Sequence, residues 1–87
     1  MSYTIEYKKT AKNFLNSLSG KILKSVTNAV NELADNPRPQ GAELVKPYSN
    51  IYRIRQGSIR IIYEVQDDEL IIIVIDIGNR GQIYNNW

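Results

Sequence analysis

The stretch IYRIRQGSIRIIYEV, residues 51–65, alternates apolar and polar positions on either side of a single glycine, and it decides the fold. Ile51, Arg53 and Arg55 alternate with Tyr52, Ile54 and Gln56; beyond Gly57, Ile59, Ile61, Tyr63 and Val65 alternate with Ser58, Arg60, Ile62 and Glu64. A period of two on both sides of a turn residue is the signature of a β-hairpin. Arg53 and Arg55, two apart, leave the same strand face, with Tyr52 and Ile54 on the other. Pairing through the Gly57 turn brings Arg60 beside them, because like-facing residues on paired strands lie about 5–8 Å apart. Three guanidinium groups at that spacing repel one another. A fold tolerates them most readily around an anion, and a planar fork of donors suits phosphate. The plainer reading is a solvated strand face whose arginines pair with Glu64 or nearby carboxylates.

Toward the C-terminus, the Asp67-Asp68 pair marks a turn and LIIIVIDI, Leu70–Ile77, is apolar at nearly every position. That pattern predicts a central strand covered on both faces. Gly78 opens a short tail, GNRGQIYNNW, which places Arg80 and Tyr84 on an exposed segment at the end of a rigid scaffold. Consecutive side chains diverge in a turn, so Asp67, Asp68 and Glu69 are expected to be solvated, and no metal site is assigned to them. Toward the N-terminus, YTIEYK at residues 3–8 alternates as a first strand. From about Thr10 the period changes, with Ala11, Phe14, Leu15 and Leu18 on one helical face. Ser19 is placed to cap a second helix whose stripe is Ile22, Leu23, Val26, Ala29, Val30 and Leu33. Asn36-Pro37 ends it. Residues 36–50 hold all three prolines and are expected to form a connection with at most a short strand. The prediction is an α+β fold in the order β-α-α-β-β-β: an antiparallel-rich sheet covered by a two-helix hairpin, as one domain over residues 1–87.

Composition narrows the chemistry. The 87 residues contain no cysteine and no histidine, which excludes disulfide scaffolds, thiol nucleophiles, most zinc sites and imidazole acid–base catalysis. At this size no deep substrate chamber fits, so any site is an open groove. Eleven basic residues stand against nine acidic, a net charge of +2, but three of the acidic ones are Asp67, Asp68 and Glu69, so the rest of the chain is markedly basic. All five arginines follow residue 37. Lys8, Lys9, Lys12, Lys21 and Lys24 read as solvated helix faces. The start MSYTIEYKK lacks the apolar core of a signal peptide, and the longest apolar run, Leu70–Ile75, is too short to span a bilayer. A soluble, cytoplasmic protein with no membrane partner is expected. A basic cluster with tyrosines at its edge and no metal ligands points to RNA, with arginines on phosphate and an aromatic ring on a base.

The stretches YRIRQGSIRIIYEV and DDELIIIVIDIGNRGQIY, with the β-α-α order before them, resemble the RelE/ParE superfamily of bacterial toxin–antitoxin toxins across nearly the whole chain. Tyr52-Arg53-Ile54-Arg55, Arg60-Ile61-Ile62-Tyr63 and Gly78-Asn79-Arg80 followed by Tyr84 carry the resemblance. It implies a fold similar to microbial ribonucleases and a toxin that cuts messenger RNA in the ribosomal A site. The family's catalytic positions carry over as Arg53, Arg55, Arg60, Arg80 and Tyr84, with no metal or other cofactor. The implied reaction is attack of a ribose 2′-oxygen on the adjacent phosphate, giving a 2′,3′-cyclic phosphate and a free 5′-hydroxyl. The arginines would neutralise the developing charge, Arg80 would favour the leaving oxygen, and Tyr84 would stack on or orient the substrate. RelE itself carries lysines where this chain has Arg53 and Arg55, one of them serving as general base there, and other toxins of the superfamily use His or Glu for this role. Arginine, with a pKa above about 12, does not do that job. Asn79 likewise stands where relatives have histidine. The base is therefore unassigned, with Tyr84, Glu64 and Glu43 as candidates. The resemblance also implies a small acidic antitoxin encoded alongside, through which any operator DNA contact would run. ParE-type relatives share the scaffold and inhibit DNA gyrase without enzymatic activity, and an inactive binding module is the third possibility.

Overall fold

A computed structural model describes residues 2–83 and Trp87. Five strands and three helices follow in the order β1 (Thr4–Tyr7), α1 (Lys9–Asn16), α2 (Gly20–Glu32), β2 (Glu43–Leu44), β3 (Ile51–Gln56), β4 (Ile59–Gln66), β5 (Ile71–Asn79) and α3 (Arg80–Ile83). The strands form one sheet in the spatial order β1-β5-β4-β3-β2. The β3–β4 hairpin turns through Gly57 and Ser58, and Gly57 has φ +63°, the left-handed conformation that a two-residue hairpin turn demands. Every pairing is antiparallel except β1 with β5, which is parallel and joins the first strand of the chain to the last.

The alternation read in residues 51–65 places each residue as expected. Tyr52, Ile54, Ile59, Ile61, Tyr63 and Val65 face the helices and pack with Ala11, Leu15, Val26, Val30 and Leu33 in the main core. The helical hairpin therefore covers one sheet face. The opposite face carries Arg53, Arg55 and Arg60, and a smaller apolar cluster of Val45, Ile51, Ile62 and Ile83 with Ile75 and Trp87 against it.

Four local expectations are corrected. The central strand is β4, buried at every position from Ile59 to Tyr63, whereas β5 lies between β1 and β4. Ile71, Ile73 and Ile75 of β5, on the face away from the helices, stay only half-buried. Leu70 is not in the strand but in the preceding turn, with φ +56°. Ser19 sits at the N-cap of α2 with no side-chain capping bond, and Ile22, assigned to the buried stripe, is 57% exposed beside the β3–β4 turn, where Ser58 and side-chain-free Gly57 offer it little to pack on.

Asp67 is also more than a solvated turn residue. Arg38 binds it with both terminal nitrogens, Nη2 to Oδ2 at 2.7 Å and Nη1 to Oδ1 at 3.3 Å, and the Tyr3 hydroxyl donates to Oδ1 at 2.6 Å. Arg38 Nε reaches the Tyr52 hydroxyl at 3.0 Å. The β4–β5 turn is thereby tied to the 36–50 connection and to the residue before β1. The Arg38 hydrogen bond, and after it that from Tyr3, holds the Asp67 carboxyl below its ordinary 3.8. The fold binds the ionised form, so this contribution is complete above the unfolded value and is lost as pH falls through the lower folded one. Asp67→Asn is expected to flatten the acid limb of stability below the carboxyl's ordinary value relative to wild type. Urea midpoints across that range check it, and superimposable acid profiles would count against it.

Candidate nucleic-acid interface

Register fixes the basic corner. Arg55 lies directly opposite Arg60 across β3 and β4, and Arg53 lies one row back, opposite Ile62. Arg60 is only 7% exposed, and its Nη1 donates to the Gly57 carbonyl at 2.8 Å and to the Ile59 carbonyl at 3.2 Å. Its Nε is buried with no hydrogen-bond partner. The Arg80 amide donates to the Ser58 carbonyl of the same turn at 2.9 Å, which sets the start of α3 against the hairpin tip. Gly78 makes this return possible: it pairs with Arg60 on the next strand, and a Cβ there would stand 3.3 Å from Ile83 Cδ1. Ile83 fills that space and is 2% exposed, while Arg80 remains in solvent. The fold thus brings Arg55, Arg60 and the Arg80 backbone to one corner, with Arg53 adjacent.

Among the described residues, the carboxylate that enters the cluster is Glu43 rather than Glu64. Glu43 Oε1 accepts from Arg53 Nη2 and Arg55 Nη2, each at 3.4 Å, on the same sheet face. Glu64 is committed to Asn50 Nδ2 at 3.3 Å and Gln66 Nε2 at 3.0 Å, farther along the hairpin. Tyr84 lies outside the described residues. Among those described, no group of three or more histidine, cysteine, aspartate or glutamate residues could hold a metal ion. No helix among them is long and apolar enough to cross a membrane.

The residues that sequence reasoning missed lie beside the arginines. Trp87 donates its indole N–H to Asp76 Oδ2 at 3.1 Å, and its ring meets that of Tyr48 at a centroid distance of 6.0 Å. The available signal was Asp76 itself, the only charged residue of β5.

A five-stranded sheet with one face under a helical hairpin is an architecture shared with solved toxin structures. The solved RelE–RelB complex from Pyrococcus horikoshii superposes with a TM-score of 0.81 at 23% identity, covering 94% of this chain and 99% of that one. The RelB–RelE complex from Methanococcus jannaschii gives 0.73 at 28% identity, covering 94% and 98%. The sequence of Toxin RelG of Mycobacterium tuberculosis is 27% identical over 85 residues, 97% of this chain and 98% of that protein. Putative toxin RelE1 of Methanocaldococcus jannaschii is 30% identical over 89 residues, covering 99% of each. The family model described as the ParE toxin of the type II toxin-antitoxin system parDE matches residues 5–84. The chain belongs to the RelE/ParE superfamily of type II toxin–antitoxin toxins.

Proposed function

We propose that this toxin is a ribosome-dependent endoribonuclease that cuts messenger RNA in the A site by attack of the ribose 2′-oxygen on the adjacent phosphate. The observation that carries this reading is the direct cross-strand opposition of Arg55 and Arg60, with Arg53 and the start of α3 beside them and one carboxylate among them. Like charges directly opposite in a sheet are destabilising, and a phosphate relieves that cost. In the reaction Arg55 and Arg60 stabilise the phosphorane, Arg53 positions the phosphate, and Arg80 favours departure of the 5′-oxygen. Arginine does not accept the 2′-hydroxyl proton. Glu43, already at the guanidinium pair, is the carboxylate best placed to take it. Glu43→Gln is therefore expected to lower cleavage by about 10²- to 10³-fold with little change in substrate binding. Single-turnover cleavage of a messenger on programmed ribosomes measures this, and an undiminished rate would remove Glu43 from the role.

The expected partner is a small acidic antitoxin. The solved complexes of the relatives pair RelE with RelB, which supports it. A second reading has its own observation, since the family model that matches is that of the ParE toxins. In that case the protein binds DNA gyrase and cuts nothing. Translation of a defined messenger and supercoiling by purified gyrase, each with the protein added, separate the two. Arrested translation with normal supercoiling supports the ribonuclease; the converse supports the gyrase inhibitor.

A further inference from the structure

Tyr48 and Trp87 form an aromatic pair on the same sheet face as the arginine corner, and none of the residues discussed above for phosphate chemistry needs it. Tyr48 is 46% exposed. It follows Val45 in a turn closed by its own amide, which donates to the Val45 carbonyl at 3.0 Å. Trp87 is half-buried against the cluster of Val45, Ile51, Ile62 and Ile83. Three contacts orient it: the indole N–H to Asp76, the amide to the Ile83 carbonyl at 3.2 Å, and the ring to Tyr48 at an interplanar angle of 55°. A large exposed aromatic ring on such a support contributes little to folding and presents a rigid π-face to solvent.

The place of the pair matters. Val45 and Ile51, on which it rests, lie one same-face row from Glu43 and Arg53, which is about 6.6 Å along the strands. Phosphate-binding arginines next to a fixed aromatic face form the combination that holds single-stranded nucleic acid, with charge on the backbone and stacking under the base. We infer that Tyr48, supported by Trp87, is a stacking platform for an unpaired nucleobase of the bound RNA strand. This rests on the RNA reading above and adds a base subsite to it. A polypeptide partner is the other class of occupant, but the adjacent guanidiniums favour an anionic strand with flat bases.

Trp87 is the only tryptophan in the chain, so its emission reports on this site directly. The test titrates the full-length protein at low salt with a single-stranded 2′-O-methyl hexamer, which lacks the 2′-hydroxyl and is not cut. A hexamer of the same backbone carrying abasic positions is the comparison. The intact hexamer is expected to quench Trp87, and the abasic one to bind about 5- to 150-fold more weakly. Tyr48→Ala should weaken the intact hexamer by a similar factor with an unchanged salt slope, and Tyr48→Phe should restore it. Arg53→Ala should instead lower the magnitude of the log–log salt slope by about 0.7. Equal affinities for the two hexamers and for Tyr48→Ala, with salt-dependent binding intact, would overturn the platform and leave the RNA reading standing. Absence of any hexamer binding, with Trp87 responding only to an acidic peptide, would overturn the platform and assign the aromatic pair to a polypeptide surface, while the ribosome-dependent cleavage stands or falls on its own assay.

Discussion

Arg80→Ala should leave the fold intact and lower messenger cleavage by about 10²- to 10³-fold, the usual loss when one preorganised donor to a developing oxyanion is removed. The substitution is informative because the structure separates the two contributions. Arg80 reaches the site through its backbone, which is anchored to the Ser58 carbonyl, while its side chain is exposed. Alanine keeps the amide and removes the guanidinium. The same experiment at Arg60 is compromised, because that side chain is buried and holds the Gly57 and Ile59 carbonyls, so its loss loosens the hairpin as well as the charge. The expected result is relief of growth arrest with an unfolding midpoint within a few degrees of wild type. Undiminished cleavage by the folded Arg80→Ala protein would remove Arg80 from the chemistry.

The largest effect on stability is expected at Tyr63. It lies fully buried in the central strand, stacked on Tyr52 at 6.0 Å, and its hydroxyl donates to the Pro37 carbonyl at 2.7 Å. Burial pushes its phenol well above the ordinary range, so it stays neutral and acts as a donor. Tyr63→Ala removes a large core ring, at a cost of about 3–5 kcal/mol. In a domain of this length the total stability is about 4–13 kcal/mol. A fall in midpoint on the order of 12–40 °C follows. Tyr63→Phe keeps the ring and strands the Pro37 carbonyl, which costs about 1–3 kcal/mol. Thermal unfolding followed by circular dichroism measures both. If Phe proved as damaging as Ala, the hydrogen bond rather than the packing would dominate, contrary to this account.

Much of this architecture was written into residues 51–65. The period-two alternation placed Arg53 and Arg55 on one face and Tyr52 and Ile54 on the other, and the Gly57 turn set Arg60 beside them, as the register shows. What stayed hidden depends on pairings between residues far apart in sequence. Nothing local in TIEY shows that it lies parallel to β5, so β5 read as central when β4 occupies that position. Likewise Arg38 and Asp67 meet across 29 residues, and neither residue's neighbours hint at the other. Leu70 read as strand because its side chain is apolar, while the turn fixes its backbone at φ +56°. The candidate site was legible as far as its arginines. Glu43 rose above Glu64 only once β2 was seen to pair with β3, and the Trp87–Asp76 bond required the chain to fold back after Gly78. Asp76 still left a trace as the lone charge in β5, where it accepts from the Trp87 indole.

The central claim is that the arginine corner cleaves messenger RNA on the ribosome. The direct test is primer extension on a defined messenger after incubation with the purified protein, with and without translating ribosomes. New 5′ ends, the 5′-hydroxyl termini of the downstream fragments, are expected at A-site positions only when ribosomes occupy the message, and are expected to be lost with Arg80→Ala. An intact messenger on actively translating ribosomes, with growth arrest persisting in cells, would contradict it.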